Sequence, residues 1–451
     1  MSANSLESLL QKVGNPVPML RNSKIGAYIF PVVPPEFTNW RDEQLACREA
    51  CVLLDQSHHM VDIYITGPDA LKLLSDTAIN SFAKFTPEKA KQYIACNYDG
   101  YVIGDGILFH LEENNLVFVG RAPCANWIEY HAQTGKYDVK IVRDERSPSR
   151  PMGKAVTRIS YRYQIQGPNA WALLEKVNGG PLPDIKFFNM DYINIAGRKV
   201  RALKHGMARA PGVEIWGPYE EGDEIKAALI EAGEEFGLRQ VGSRAYPTLA
   251  LESGWIPAPL PAVYTGDKMK PFREWLSDTS YEANGSLGGS FVSDNIEDYY
   301  LTPYDLGYGP FVKFDHEFIG DEALKAMADK PHRNKVTLVW NNEDVSKVLT
   351  SIFNKDNFKY LEMPISAFYS TSPYDRVTKN GKTVGISSTA GFSWNERFSF
   401  SLAMVDPDIE EGSEVVLVWG EPDGGSEKTT VERHKQTEIR ATVRPAPYPV
   451  D

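Results

Sequence analysis

The sequence lacks an excess of positive charge and any long apolar run. Its formal net charge is -12 at pH 7 over 451 residues. An acidic protein is a poor match for nucleic acids and anionic membranes, because both attract a basic surface. No run of 18 apolar residues is present, and the first residues, MSANSLESLLQKVG, lack the basic and apolar regions of a signal peptide. We therefore expect a cytoplasmic protein whose partners are small molecules, with no nucleic acid and no membrane among them.

Cysteine is also scarce. The chain contains four cysteines, Cys47, Cys51, Cys96 and Cys124, with no CxxC motif and no histidine at zinc-finger spacing. We expect reduced, buried thiols and no metal site. In a helix predicted over 42–54, Cys47 and Cys51 would lie one turn apart.

The short motifs of several common enzyme classes are missing. No GxGxxG leads from a strand into a helix, and GxxxxGK[ST], HExxH and GxSxG do not occur. Nicotinamide, ATP, zinc-protease and α/β-hydrolase chemistry are therefore unsupported.

A repeated pattern indicates how the chain is organised. A strand, a Gly-Pro turn and a helix follow one another at 60–76 and again at 161–179, which predicts two related α+β subdomains. From residue 336 onward, short strands such as KVTLVW and EVVLVWG predict an all-β domain, either a sandwich or a barrel. The predicted domains are residues 1–335, with an approximate split near 150, and residues 336–451.

Two further segments carry structural expectations. Residues 25–33 resemble a strand that stops at Pro34 and Pro35. Residues 242–267 contain Pro257, Pro259 and Pro261, which predict a fixed, extended loop, either functional or simply a linker packed by its own aromatics.

Three charged or polar residues are candidates for a site on pattern alone. His59 follows His58 on a turn before a strand, where adjacent side chains point in opposite directions. Arg121 follows an apolar strand, and Glu214 interrupts the apolar GVEIWG. Each also has an ordinary interpretation: a hydrogen-bonding turn histidine, a surface arginine and a solvent-facing glutamate.

Five motifs in register resemble the folate-dependent aminomethyltransferases of the glycine cleavage system. They are DQSHHMVDIYITGPDALKLL, QIQGPNAWALL, GVEI, TLALESG and TPYDLGYGPFVKFDHEFIGDEAL. The resemblance implies a three-domain α+β cloverleaf in which two interleaved α+β subdomains precede a C-terminal jelly-roll-like β domain. It also implies that tetrahydrofolate binds in a central cavity.

Longer stretches are similar to the tetrahydrofolate-dependent aryl O-demethylases that act on vanillate, 3-O-methylgallate and syringate. They include MLRNSKIGAYIFPVV, KAKQYI, VGRAP, VGSRAYPTLALESGWIPAPLPAVYTGD and GGSFVSDNIEDYY. This resemblance implies transfer of a methyl group from a methoxybenzoate to N5 of tetrahydrofolate. The matching segment of the vanillate-type enzymes reads YVYPVV, so Phe30 stands where they have a tyrosine.

The resemblance also implies roles for individual residues. Tyr246 takes the catalytic position, with a phenol whose ordinary pKa is near 10. The implied substrate contacts are Tyr28, Phe30, Gln56, His59, Arg121 and Trp255, and the implied folate contacts are Glu214, Gln164, Gln166, Asp105 and Trp255. Asp105 follows Gly104 where the aminomethyltransferases have a second acid, which leaves its role open.

Two alternative functions stay open at this point. One is an aminomethyltransferase-type or other folate-dependent demethylase, and the other is a non-catalytic folate-binding protein. The KGC(Y/F)xGQ signature of the latter is not found. The sequence does not indicate an oligomeric state.

Overall fold

The fold is α+β, with two sheets flanked by helices and a C-terminal β-barrel. The computed structural model describes residues 4–149, 154–207, 209–257, 259–367 and 369–449. The helices are α1 (Leu6–Val13), α2 (Pro16–Arg21), α3 (Trp40–Glu49), α4 (Ala70–Asp76), α5 (Ala122–Thr134), α6 (Ala170–Asn178), α7 (Gly222–Gly233), α8 (Tyr246–Glu252), α9 (Lys270–Trp275), α10 (Asp321–Met327) and α11 (Asn342–Thr350). The strands are β1 (Cys51–Asp55), β2 (Val61–Thr66), β3 (Lys89–Cys96), β4 (Val102–Glu112), β5 (Asn115–Gly120), β6 (Lys140–Asp144), β7 (Ser160–Gln166), β8 (Met190–Ile195), β9 (Arg198–Lys204), β10 (Gly212–Pro218), β11 (Leu238–Gln240), β12 (Leu287–Gly288), β13 (Asn334–Trp340), β14 (Ser372–Pro373), β15 (Asp375–Lys379), β16 (Lys382–Ser393), β17 (Phe398–Val405), β18 (Glu414–Trp419) and β19 (Thr437–Pro445).

The two sheets are interleaved along the chain. One sheet has the order β11-β1-β7-β10-β9-β8, and the other has the order β3-β4-β5-β2-β6. Strand β1 therefore belongs to the first sheet, although the second sheet is built from the strands that immediately follow it. This topology confirms the predicted interleaved subdomains. The residue boundaries of the domains, near 150 and 335, stay predictions.

The strand-turn-helix repeat is also confirmed. Gly67 joins β2 to α4, and Gly167 joins β7 to α6, with φ values of 131° and 121°. A Cβ on Gly67 would lie 2.4 Å from the Asp138 carbonyl oxygen, and one on Gly167 would lie 2.6 Å from the Ala50 carbonyl oxygen. Both the backbone angle and the close approach thus require glycine at each turn.

The two sheets pack face to face through a small apolar core. Phe109 on β4 meets Trp216 on β10 with ring centroids 5.0 Å apart, and the cluster also contains Val119 and Leu203. Burying one such side chain contributes about 1.5–3 kcal/mol. This core holds β4, β5 and β10 together, and the site described below lies along the same strands.

The C-terminal domain is a closed barrel rather than a sandwich. Its antiparallel strands follow the order β13-β17-β16-β15-β18-β19, and pairing of β13 with β19 closes it. The domain is not purely β, because α11 packs on the barrel. The Asp344 carboxylate accepts hydrogen bonds from Arg440 on β19, with Nε to Oδ2 at 2.9 Å.

Two expectations for the N-terminal region are wrong. Residues 25–33 form no strand, because Pro31, Pro34 and Pro35 lack the N–H that a sheet ladder needs. The helix predicted over 42–54 ends at Glu49, and the rest of it is β1. Residues 51–54 are fully buried between β7 and β11, and a short apolar run does not distinguish a buried strand from a buried helix. Cys47 and Cys51 therefore do not share a helix, although all four cysteines are free and buried.

The extended loop predicted over 242–267 is wrong in its first half. Tyr246–Glu252 forms α8, with Pro247 in its first turn, where a missing N–H costs no helical hydrogen bond. The described residues from 255 to 265 contain neither helix nor strand, as their prolines predict.

In the described part of the chain, every helix is too short or too polar to span a lipid bilayer.

Candidate active site

Two adjoining cavities lie where the sheets meet the start of α8. The first, of about 370 Å³, is lined by Asp105 and Glu214 among others and is named the Glu214 cavity. The second, of about 730 Å³, is lined by Tyr28 and Phe30 among others and is named the Tyr28 cavity. Among the described residues, those that line both cavities form what we name the shared wall: His59, Met60, Arg121, Met207, Tyr246, Ala250 and Trp255.

Most of the predicted site residues meet at these cavities, although they are distant in sequence. They come from the segment between α2 and α3, from the turn after β1, from β4, from the residue after β5, from β10, from the start of α8 and from the loop that follows α8. The predicted residues that line at least one cavity are Tyr28, Phe30, Gln56, His59, Asp105, Arg121, Glu214, Tyr246 and Trp255. Gln164 and Gln166 do not line either cavity.

Tyr246 lies at the start of α8 with its hydroxyl in a short hydrogen-bond chain. The hydroxyl oxygen accepts a hydrogen bond from Gln56 Nε2 at 2.9 Å and lies 3.1 Å from His59 Nε2. Because Gln56 donates to the hydroxyl, the Tyr246 proton is directed either to His59 or to a ligand in the cavity. Burial raises the pKa of Tyr246 above its ordinary value near 10, so the phenol is a neutral hydrogen-bond donor at neutral pH.

His59 is neutral in this site. Burial lowers its pKa to about 3, and the nearby charges of Arg121 and Arg158 act in the same direction. Its Nδ1 is buried without a hydrogen-bond partner among the described residues. A neutral imidazole accepts the Tyr246 proton at Nε2 in one tautomer and donates from Nε2 in the other. His59 can therefore support the Tyr246 hydroxyl whether that hydroxyl points toward the imidazole or toward a ligand.

Aromatic rings form one side of the Tyr28 cavity. The Phe30 ring lies 4.7 Å from the Tyr246 ring and 4.8 Å from the His59 ring, and the Tyr28 ring lies 5.8 Å from Phe30. The Tyr28 hydroxyl donates to the Ser147 carbonyl oxygen at 2.6 Å, which fixes the ring. These rings are tilted by 35° to 78° relative to one another and form an apolar wall of the kind that packs against an aromatic ligand.

Asp105 joins three elements at the Glu214 cavity. Its Oδ2 accepts hydrogen bonds from Gln92 Nε2 at 2.8 Å, Trp255 Nε1 at 2.9 Å and Tyr308 Oη at 2.8 Å. Burial raises the pKa of Asp105 despite these donors. The carboxylate therefore positions Trp255 on the shared wall, and Oδ1 makes no hydrogen bond to a described residue.

Glu214 belongs to a buried network of charges. Arg162 Nη1 donates to Glu214 Oε1 at 2.5 Å, and Arg162 Nη2 lies 3.4 Å from Asp62 Oδ2. Arg158 in turn pairs with Asp62 at 3.1 Å and with Asp144 at 3.0 Å. The network fixes Glu214 as a charged acceptor on the cavity wall, and it refutes the solvent-facing interpretation of this residue.

Gln164 and Gln166 lie behind the cavity. Both are fully buried on β7. Gln164 Nε2 donates to the His205 carbonyl oxygen at 2.7 Å, and Gln166 pairs with the Met207 backbone through both its Nε2 and its Oε1. They hold the loop that presents Met207 to the shared wall, and they do not reach the cavity surface themselves.

Arg121 is the cation of the shared wall. It precedes α5 without forming a side-chain cap, and its guanidinium makes no ion pair or hydrogen bond within the described residues. A half-buried guanidinium without a carboxylate is costly unless an anion binds there. The geometry therefore favours a ligand with a negative charge near the shared wall.

The sequence reasoning missed several cavity residues. In YRYQIQ, Arg162 and the two glutamines occupy every second position and therefore lie on one face of the strand. A polar face on an interior strand could have identified Arg162 as a site residue. Gln92 and Tyr308 lie in stretches that carry the family resemblance. Lys335 comes from β13 of the barrel and lines the Glu214 cavity, and no pattern in its neighbourhood pointed to it.

Among the described residues, no group of three or more His, Cys, Asp or Glu side chains could hold a metal ion. The site offers a neutral phenol, a neutral imidazole, a guanidinium and buried carboxylates around two adjoining cavities.

Known proteins resemble this chain over nearly its whole length. Syringate O-demethylase of Sphingobium sp. (strain NBRC 103272 / SYK-6) is 50% identical over 448 residues, which cover 99% of this chain and 96% of that protein. Sesamin methylene transferase of Sinomonas sp. (strain No.22) is 30% identical over 93% of this chain and 91% of that protein. The crystal structure of glycine cleavage system aminomethyltransferase T from Bartonella henselae has a TM-score of 0.61 and 18% identity, covering 96% of this chain and 95% of that one. This last likeness concerns the fold alone.

The family model of the GCVT N-terminal domain matches residues 24–258, and these residues contain the interleaved sheets and the whole shared wall. Since this match covers more than half of the chain, and the two relatives align over more than nine tenths of it, the protein belongs to the GCVT N-terminal domain family.

Proposed function

We propose that this protein is a tetrahydrofolate-dependent O-demethylase that transfers the methyl group of a methoxybenzoate, such as syringate or vanillate, to N5 of tetrahydrofolate. The observation that carries the proposal is the shared wall, where Tyr246, His59 and Arg121 lie between an acid-lined cavity and an aromatic one. The 50% identity with a syringate O-demethylase supports the choice of substrate class.

The Glu214 cavity fits the pterin of tetrahydrofolate. A pterin presents an amino group and ring N–H groups, and Glu214 is a buried, charged acceptor held by Arg162. Phe109 and Phe188 supply apolar contacts for a flat ring. When bound, tetrahydrofolate accepts the methyl group at N5: the methyl–oxygen bond breaks, a methyl–nitrogen bond forms, and the proton lost from N5 balances the one gained by the aryl oxygen.

The Tyr28 cavity fits the methoxybenzoate. Its ring packs against Phe30 and Tyr28, and its carboxylate pairs with the free guanidinium of Arg121. Trp255 also lines this cavity and supplies a further aromatic contact. Holding the methoxy carbon at the shared wall, in line with an acceptor in the Glu214 cavity, supplies the proximity that this displacement needs.

Tyr246 provides the proton or strong hydrogen bond at the ether oxygen. An aryloxide is a poor leaving group, so it has to be protonated or hydrogen-bonded as the bond to methyl breaks. Tyr246 lines both cavities, and Gln56 and His59 both contact its hydroxyl. His59 in the Nε2–H tautomer donates to the Tyr246 oxygen while the Tyr246 proton points to the ether.

A direct assay tests the proposal. The purified protein is incubated with tetrahydrofolate and a panel of methoxybenzoates, and the free phenol and 5-methyltetrahydrofolate are quantified together. We expect equal amounts of both products. Formation of a methylene-folate or no product from any methoxybenzoate would instead support the aminomethyltransferase-type or the non-catalytic alternative.

Replacing Tyr246 by phenylalanine tests the catalytic assignment. Tyr246→Phe is expected to lower kcat by roughly 10²- to 10⁴-fold, the usual contribution of a general acid, with both ligands still bound. Tyr161→Phe is the matched control, because the buried Tyr161 hydroxyl has no hydrogen-bond partner in the described part of the chain and Tyr161 lines neither cavity. An unchanged kcat in Tyr246→Phe contradicts the assignment.

A further inference from the structure

A second free cation lies in the Tyr28 cavity. Arg146 lines this cavity, and its guanidinium forms no ion pair or hydrogen bond with a described residue. Arg143, three residues earlier on the same cavity, is different: it pairs with Glu129 at 3.0 Å and with Glu145 at 2.7 Å. The carboxylates near Arg146 are thus already engaged by Arg143.

Aromatic rings hold Arg146 in place. Its guanidinium carbon lies 4.4 Å from the centre of the Tyr28 ring and 5.7 Å from that of the Tyr281 ring. Such cation–π contacts orient the planar group without neutralising it. Burial lowers the pKa of Arg146, and the neighbouring charge of Arg121 also acts to lower it. Two guanidinium groups that lack carboxylate partners therefore face one cavity.

The two cations differ in their position relative to Tyr246. Arg121 lies on the shared wall with Tyr246. Arg146 is separated from it by two rings, since it stacks on Tyr28, Tyr28 lies beside Phe30, and Phe30 lies beside Tyr246. An acid whose carboxylate is close to its methoxy group reaches Arg121, whereas one with a longer acidic side chain extends toward Arg146.

We propose that Arg146 is a second carboxylate-binding residue, which extends the substrate range to methoxyphenyl acids whose carboxylate is separated from the ring by a two- or three-carbon chain. The inference rests on the proposed O-demethylase function. The cavity has room for such acids: a space of roughly 150 Å³ accepts benzene, and the Tyr28 cavity has about 730 Å³.

Binding without turnover is the first test. Isothermal titration calorimetry in the absence of folate compares 3-(4-hydroxy-3-methoxyphenyl)propenoate with the corresponding alcohol on the wild type, Arg146→Gln, Arg146→Lys and Arg198→Gln. A charge-assisted pair predicts at least roughly tenfold weaker binding of the acid to Arg146→Gln, with retention in Arg146→Lys. Arg198→Gln should bind as the wild type does, because Arg198 pairs with Glu221 and Glu224 and lines neither cavity.

Turnover is the second test. In Arg146→Gln, the kcat/KM ratio of the propenoate over 3-methoxy-4-hydroxybenzoate should fall by at least roughly tenfold.

Equal losses for acid and alcohol, or no binding of the propenoate to the wild type, overturn the proposal. The proposal is also overturned if Arg146→Gln raises only the KM for tetrahydrofolate and this effect disappears when tetrahydropteroate replaces tetrahydrofolate. Arg146 would then bind the glutamate tail of the folate and not the substrate carboxylate. Turnover of benzoates without binding of the longer acid refutes this inference while leaving the proposed function intact.

Discussion

Burial sets the charge state of the residues at the shared wall. His59 is neutral at any pH well above its pKa of about 3, and the raised pKa of Tyr246 keeps its phenol protonated. The departing aryloxide enters the same apolar space, which raises its proton affinity too. Proton sharing between the Tyr246 phenol and the departing phenol of the substrate therefore does not require Tyr246 to have an ordinary pKa. It requires only that donor and acceptor share one environment.

Arg121 can be tested through the charge of the substrate. Arg121→Ala is expected to lower kcat/KM for a methoxybenzoate by at least roughly tenfold more than for the matching benzyl alcohol, because only the carboxylate forms a charge-assisted pair. Steady-state kinetics on both compounds measures the difference. Arg121→Lys is the control that retains the charge, and equal losses on acid and alcohol would remove Arg121 from the substrate site.

Phe30 is expected to control tolerance for a second methoxy group. Its ring lies against both Tyr246 and His59, so a hydroxyl added there enters the aryl-binding surface. An apolar wall discriminates weakly against an extra substituent, whereas a hydroxyl selects for a hydrogen-bonding partner. Phe30→Tyr should therefore lower the kcat/KM ratio of syringate over vanillate.

The control for Phe30 is Phe311→Tyr, which adds a hydroxyl at the Glu214 cavity only. Its syringate-to-vanillate ratio should equal that of the wild type. If the ratio does not fall in Phe30→Tyr, the residue is core packing and sets no selectivity.

At the level of helices, strands and turns, the sequence predicted the features that neighbouring residues determine by themselves. The two Gly-Pro turns between strand and helix follow from glycine, proline and the flanking apolar residues, and the structure contains them. The boundary between α3 and β1 was missed because Cys51, Val52 and Leu53 are buried on both sides by neighbouring strands. That burial is a tertiary property, which a local pattern does not encode.

The hairpin of β4 and β5 offers an element-scale prediction, because it places Asp105 and Arg121. A Cβ on Gly120 would lie 2.4 Å from the buried Phe118 ring and 2.9 Å from the Asp105 carbonyl oxygen. Gly120→Ala should therefore push the strands apart, lower the Tm by roughly several degrees and raise the KM for methoxybenzoates.

Gly180→Ala is the matched control for Gly120→Ala, since no atom lies within 4 Å of a Cβ at that position. Its Tm and KM should stay near those of the wild type, as differential scanning fluorimetry and kinetics would show. A Gly120→Ala protein with unchanged Tm and KM would mean that the strands accommodate the methyl group without moving the site.

At the level of the whole molecule, all three structural units contribute to one site. Tyr246 begins α8, and the far end of α8 is tied to the barrel because Ser393 Oγ donates to Glu252 Oε1 at 2.8 Å. Lys335 reaches the Glu214 cavity from the barrel. The family resemblance located Tyr246 and Glu214, but contacts such as that of Lys335 depend on how the barrel docks, and no local sequence pattern records this.

Docking of the barrel also produces a pH-dependent stability. Asp375 on β15 accepts a hydrogen bond from Ser290 N at 3.0 Å. Burial raises its pKa from the ordinary 3.8 to about 7, and Glu421 acts in the same direction while Arg21 acts against it. Because the folded-state pKa lies above the unfolded one, the folded protein binds the extra proton. The resulting stabilisation is present below about pH 4 and is lost as the pH rises through 7.

Asp375→Asn should remove this dependence, because an amide still accepts from Ser290 and carries no charge. The Tm difference, variant minus wild type, is expected to grow between pH 4 and 7 and then level off at roughly several degrees. Thermal melts at half-unit pH steps measure it. Asp406→Asn is the control, since the Asp406 side chain is 41% exposed beside Arg333 and its variant should show no such trend. A Tm difference for Asp375→Asn that stays constant from pH 4 to 8 would mean that Asp375 remains charged throughout, with Arg21 and the backbone N–H of Ser290 compensating for its burial.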